Sequence, residues 1–300
     1  MWLKILILLL FRFGKRIKKP LRLLCLCQKY LTFFDRLIPL AKGCHIERSE
    51  LGGTPIETVR ARGAQPTLTI FYLHGGAFVL GLNNIYRKFS CVLAKACGAK
   101  IILVDYSLLP QHPFPFALNQ SLNAYEELLK TTDPASIIVA GDSAGGNLVL
   151  SMLLAAKEKL LPMPAGAAIF SGWLNLGIRN HTNKPLNEKD PFIREEHLSS
   201  IASLYLSSHI NADFPSASPI DGNLEGLPPL FMQVGTKEIL LKDTVILAEK
   251  AKKQGVKVHL EICQHMYHVQ PILFPEQRNS RSLINKIAHF MAQSTAIGRL

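Results

Sequence analysis

Three short apolar runs constrain the fold of this chain more than any other feature. Thr67 to Leu73, Lys100 to Val104 and Ser136 to Ala140 are continuous rather than alternating, and stretches with helical spacing separate them, at 84–97 and 115–130. A strand buried on one face alternates apolar and polar residues. A strand buried on both faces does not, and continuous runs of this length mark a parallel sheet covered by helices. The rhythm continues with a helix at 144–160, a strand from Ala165 to Phe170, a strand from Pro229 to Val234, a helix at 240–254, a strand from Val256 to Ile262 and a last helix at 278–294. Strand and helix in this succession specify a doubly wound α/β architecture. Residues 45–49 and 55–60 alternate around Gly52-Gly53-Thr54-Pro55 and read as a hairpin. Residues 176–214 break the rhythm: polar first, then helical at 194–208, they read as an insertion.

Composition excludes several classes. Of 300 residues, 48% are hydrophobic and 19% charged, enough for a large core. The net charge is +12, but eight basic residues and no acid fall in residues 1–30, so the remainder is only mildly basic. No nucleic-acid groove is indicated, and no zinc-finger or RNP pattern occurs. The opening MWLKILILLL carries most of its positive charge after the apolar run rather than before it, unlike a secretory signal. The run also falls short of the ~20 apolar residues that span a bilayer. Pro20 divides two helical pieces, 1–19 and 21–39. Two compatible readings follow: the pieces pack over the fold as part of a lid, or residues 1–30 make peripheral contact with an anionic membrane surface. The six cysteines, Cys25, Cys27, Cys44, Cys91, Cys97 and Cys263, form no C-x-x-C pair, so reduced thiols in a cytoplasmic protein are expected and a zinc site is not.

In a doubly wound sheet, reactive groups collect beyond the carboxyl ends of the strands. After Ala140 comes Gly141-Asp142-Ser143-Ala144-Gly145, then a helix. A strand, G-x-S-x-G and a helix are the context of a nucleophile elbow, which makes Ser143 the candidate nucleophile. The flanking Gly141 and Gly145 remove side chains where strand and helix crowd the turn. After Leu73 comes His74-Gly75-Gly76-Ala77-Phe78. The amides of Gly75 and Gly76, with that of Ala144, are the candidate oxyanion donors, and His74 reads as a structural residue fixing the loop. Glu238 is the first carboxylate beyond Val234, with Asp243 five residues on in the following helix. His265 and His268 both follow the strand ending near Ile262. Ser, acid and His occur in the order expected on this sheet; the residues alone leave Glu238 against Asp243, and His268 against His265, open.

HGGAF at 74–78, GDSAGGN at 141–147 and MYHV at 266–269 together resemble the hormone-sensitive-lipase-like branch of the α/β-hydrolases, in particular its bacterial esterases. Asp105 to Pro115 is similar to the family's D-Y-R-L-A-P-E-H-P-F-P, and Asp190-Pro191, Ser218-Pro219 and Gly226 to Pro229 stand where the family has comparable pieces. The likeness covers residues 45–300. It implies an α/β-hydrolase fold over 1–300 as one domain, with helical cap segments at 1–40 and 176–214. It also implies Ser143 as nucleophile, His268 as base, Glu238 as acid, and Gly75, Gly76 and Ala144 as oxyanion donors. The implied activity is hydrolysis of short- to medium-chain carboxylic esters through an acyl-enzyme, with a small-molecule ester as partner and no metal or cofactor. A homodimer is compatible with this reading. The rival functions are a membrane-associated lipase or lactone hydrolase, and a non-catalytic binding protein on the same fold. The sequence departs from the family at Ala77, which stands for a glycine but keeps its amide, at Ser107 and Gln111, which replace an Arg and a Glu, and at Asn175 and Lys242, where acids are frequent. These departures bear on substrate preference rather than on the triad.

Overall fold

The computed structural model describes residues 43–177, 190–207 and 214–297, with Asp35 and Ile38 ahead of them. The alternation seen in the sequence becomes one sheet of eight strands among the described residues. In chain order the elements are β1 (Cys44–Leu51), β2 (Thr54–Ala61), β3 (Leu68–Leu73), α1 (Asn84–Cys97), β4 (Ala99–Val104), α2 (Phe116–Leu129), β5 (Ile137–Asp142), α3 (Ala144–Glu158), β6 (Gly166–Phe170), α4 (Glu195–Leu206), β7 (Leu230–Gly235), α5 (Leu241–Lys253), β8 (Val258–Cys263), α6 (Gln270–Leu273) and α7 (Arg278–Ile297).

The spatial order is β1-β2-β4-β3-β5-β6-β7-β8. The hairpin β1–β2 lies antiparallel at one edge, and β4 through β8 with β3 run parallel. Helices cover both faces. One apolar layer carries Leu118, Leu122 and Tyr125 of α2, Leu148 and Met152 of α3, and Leu247 of α5. The other carries Phe89 and Leu93 of α1 and Ile284, Ile287 and Met291 of α7. The continuous strand sequences follow from this arrangement: in β5, Ile137, Val139 and Ile138 point to opposite layers, and all three are fully buried. The register sets the carboxyl ends side by side, with Leu73 opposite Gly141 and Asp142 opposite Phe170.

The expected helix at 194–208 is found as α4, and it packs inward. The Tyr205 ring stacks on Phe78, centroids 3.7 Å apart, and the Phe114 amide donates to Tyr205 O at 2.8 Å. The helical pieces expected at 1–19 and 21–39 lie outside the described residues apart from Asp35 and Ile38. Asp35 caps the start of α1 through the Asn84 amide and pairs with Arg87 at 3.3 Å.

The expectation of reduced thiols fails at one pair. Cys44, at the start of β1, and Cys91, on α1, form a disulfide with Cα atoms 5.9 Å apart. They stand 47 residues apart in the chain, and no local spacing signals the pair. It is created by the hairpin folding across α1, whose apolar layer takes in both Cys91 and Cys44. Cys97 and Cys263 are free thiols.

Candidate active site

Ser143 sits between β5 and α3 at φ 51 and ψ −121, a region that non-glycine residues rarely occupy. The surroundings hold it there: its amide donates to Phe170 O at 3.0 Å, and its carbonyl accepts from the Trp173 amide at 2.9 Å. The neighbouring glycines are needed for close approach. A Cβ at Gly145 would lie 2.0 Å from Leu73 O, and one at Gly141 would lie 2.6 Å from Gly145 O. The elbow therefore aims the hydroxyl outward over the helix start, where unpaired amides and the positive end of the dipole favour an anion. Ser143 and His268 keep 8% and 7% of their surface exposed, a narrow but real opening.

The other two strand-end loops complete the constellation. The Ser143 hydroxyl donates to His268 Nε2 at 3.0 Å, and His268 Nδ1–H donates to Glu238 Oε2 at 2.9 Å. The second Glu238 oxygen accepts from the Gly235 amide at 2.5 Å and from the Ser171 hydroxyl at 2.8 Å. Of the two candidate acids and two candidate histidines, Glu238 and His268 are the pair bonded to each other. Asp243 is buried on α5, in the first turn, and the carboxylate bonded to the His268 imidazole is that of Glu238. His265 is exposed, with its amide donating to Thr236 Oγ1 at 2.9 Å. Ser171, which the sequence reading missed, also accepts from the Val269 amide at 3.2 Å and so ties the acid loop to the base loop. It follows β6 directly, so a search of every strand end would have reached it.

On the opposite side of Ser143, one expected donor is corrected. The Gly75 amide donates to Asp142 Oδ1 at 3.0 Å, which turns it away from the nucleophile. A Cβ at Gly75 would lie 2.3 Å from Asp142 Oδ2, so the glycine serves a close approach to that carboxylate. Asp142 also accepts from Tyr72 at 2.9 Å and Tyr86 at 3.0 Å. Gly76, at φ 108, and Ala77, at φ 56, turn the chain through left-handed backbone after that bond. Among the described residues, no protein acceptor meets the Gly76 and Ala77 amides. His74 is fully buried; it stacks on Tyr106 with centroids 4.2 Å apart, and its Nδ1 lies 2.7 Å from Gly75 O.

Electrostatics separate these groups. Burial opposes charge on His268, but the Glu238 hydrogen bond and the negative charges of Glu238, Asp190 and Asp142 outweigh it and raise its pKa. Burial pushes His74 down to about 4. Burial raises Asp142 to about 6, against the opposing effect of Tyr72, Tyr86 and the Gly75 amide. The imidazole beside Ser143 is thus the one supported by carboxylates.

A parallel sheet with a serine on a strand-to-helix elbow, followed in chain order by an acid and a histidine on later strand ends, defines a serine hydrolase of the α/β type. The sequence profile of the alpha/beta hydrolase fold family matches residues 70–271. An esterase of Acinetobacter venetianus is 35% identical over 257 residues, 84% of each chain. An acetyl-hydrolase of Streptomyces hygroscopicus is 33% identical over 231 residues, 77% of each chain. A solved esterase of the bacterial hormone-sensitive lipase family superposes with a TM-score of 0.87 at 31% identity, covering 96% of each chain. The solved structure of EstE5 gives 0.85 at 37% identity, covering 91% of this chain and 92% of its own. The chain belongs to the α/β-hydrolase fold family, in its hormone-sensitive-lipase-like esterase branch, and is a carboxylic ester hydrolase.

Proposed function

We propose that Ser143, His268 and Glu238 carry the hydrolysis through an acyl-enzyme. Ser143 Oγ attacks the ester carbonyl carbon while His268 Nε2 takes its proton. The negative oxygen that develops is met by the amides of Gly76, Ala77 and Ala144, with Gly75 withdrawn to Asp142. Collapse expels the alcohol, which receives its proton from His268. Water then attacks the acyl carbon, gives a proton to His268, and releases the carboxylic acid as Ser143 regains its hydrogen. Glu238 keeps Nδ1 protonated throughout, so that Nε2 presents a lone pair to the serine.

The observation that carries this reading is the unbroken relay from Ser143 Oγ through His268 to Glu238, at 3.0 and 2.9 Å. Short to medium acyl chains are the substrate class; in support, the Streptomyces relative is named an acetyl-hydrolase. Residues 190–207 form part of a cap over the site, supported by the stacking of Tyr205 on Phe78 of the oxyanion loop. No helix among the described residues is long and apolar enough to cross a membrane. Peripheral contact through the basic residues 1–30 is checked by flotation with anionic vesicles, with and without residues 1–40.

A fluorophosphonate probe should label Ser143, as read by peptide mass spectrometry. Ser143→Ala should lower turnover of short-chain esters roughly 10⁴- to 10⁶-fold in a folded protein. Label on another residue, or an alanine variant that retains turnover, would remove the triad assignment.

A further inference from the structure

The two loops that present acid and base are braced from outside by residues the reaction scheme does not use. Asp190 is fully buried, where a carboxylate is costly unless it is well bonded. Its Oδ1 accepts from the Phe192 and Ile193 amides at 2.8 and 3.0 Å. Those two bonds make a turn that asparagine or serine could form as well. Its Oδ2 does something further: it accepts from the Ile239 amide at 3.0 Å, the peptide directly after Glu238. On the other side of Glu238, Lys237 Nζ donates to Tyr267 Oη at 3.3 Å and lies 4.7 Å over that ring, and Tyr267 directly precedes His268. Phe192 meets the same ring edge-on, centroids 6.0 Å apart. The short segment 190–193 thus touches the acid loop through a carboxylate and the base loop through a phenyl ring.

We propose that Asp190 is a positioning residue for the ester hydrolysis: its buried carboxylate fixes the peptide after Glu238 and, with Phe192 against Tyr267, sets Glu238 and His268 in line with Ser143. A structural turn alone would explain the bonds to Phe192 and Ile193, but not the bond from the Ile239 amide to the second oxygen. The charge has its own effect on the reaction. His268 is faced by Glu238 on its Nδ1 side and by the charges of Asp190 and Asp142, with Lys237 as the nearby cation on Tyr267. Asp190 is thus one of the groups that favour the imidazolium formed in the acylation step.

The proposal rests on the triad assignment, and the test separates the two. Asp190→Asn keeps an oxygen for the turn but sets an NH₂ against the Ile239 amide and removes the charge. Relative to wild type, kcat should fall about 10- to 100-fold with KM changed no more than about twofold. The acidic limb of kcat/KM should also move to lower pH, since loss of a negative charge lowers the histidine pKa. Asp190→Ser, equally uncharged and smaller, carries the same expectation should the asparagine variant fail to fold. Phe192→Ala leaves the charge in place and should lower kcat severalfold with the limb unmoved. An unshifted limb in a folded Asp190 variant, or full kcat in Phe192→Ala, overturns the proposal. An active Ser143→Ala would instead overturn the triad itself.

Discussion

His74 and His268 are both shut away from solvent, at 0% and 7% exposure, and both stand at the carboxyl ends of parallel strands, yet burial drives them to opposite uses. His74 faces a carbonyl and a tyrosine ring, with no carboxylate bonded to it among the described residues, and burial lowers its pKa to about 4. His268 has Glu238 against Nδ1 and is raised instead. Burial alone disarms an imidazole, whereas burial beside an aligned carboxylate makes a base that can accept a proton. The largest test of this contrast is Glu238→Gln. The amide keeps the shape but removes the charge and permits the wrong tautomer, so kcat/KM should fall on the order of 10⁴-fold. The acidic limb should move to lower pH, toward the behaviour of His74. Asp243→Asn should change activity per folded enzyme only a few-fold, and steady-state kinetics of the two variants side by side decide the acid.

The carboxylate on the His74 side has a different task. Asp142 accepts from Tyr72, Tyr86 and the Gly75 amide, and so anchors the loop whose next two amides are the proposed oxyanion donors. In Asp142→Asn one acceptor oxygen becomes a donor facing donors. Turnover should fall about 10- to 100-fold with KM little changed, less than for Glu238→Gln because the proton relay survives. The effect on stability has a definite sign. Asp142 is raised from 3.8 to about 6, so its contribution is complete below 3.8 and is lost as pH rises through about 6. Removing it should make stability climb more steeply with pH between 4 and 6 than in the wild type, as read from urea unfolding at several pH values.

Much of this was legible before any coordinates. The continuous runs placed β3, β4 and β5, and the strand-end rule brought forward Ser143, Glu238 or Asp243, and His265 or His268, because a parallel sheet delivers all its carboxyl ends to one side; the family resemblance then chose Glu238 and His268. What was hidden depends on side-chain direction across the fold. Tyr72 lies in a continuous apolar run and Tyr86 in a stretch of helical spacing, and only the fold shows their hydroxyls reaching Asp142 from 70 and 56 residues away. The Gly75 amide had the right residue type and the right neighbours, but one bond to Asp142 reverses its direction. The Cys44–Cys91 bond was invisible for the same reason, since it depends on how a hairpin crosses a helix.

The smallest expected effect belongs to His74 itself, and it tests whether that histidine is structural. His74→Phe preserves a ring to stack on Tyr106 but removes the donor to Gly75 O, leaving a buried carbonyl unpaired at a cost of about 1–3 kcal/mol. It also removes Nε2, a buried nitrogen that has no hydrogen-bond partner among the described residues, which offsets part of that loss. Activity should therefore stay within about tenfold, since the amides of Gly76 and Ala77 keep their backbone path while Asp142 still holds Gly75. The pH signature is sharper than the activity change. A histidine lowered from 6.5 to about 4 contributes stability that is present above 6.5 and lost as pH falls through about 4. For a shift of that size the loss is roughly 3 kcal/mol. In His74→Phe that acid-side loss should disappear, so that the wild type's advantage near neutral pH shrinks as pH falls and is cancelled or reversed near pH 4. Equal pH slopes in the two proteins would mean that His74 is charged, or solvated, in the folded state, and the contrast with His268 would fail.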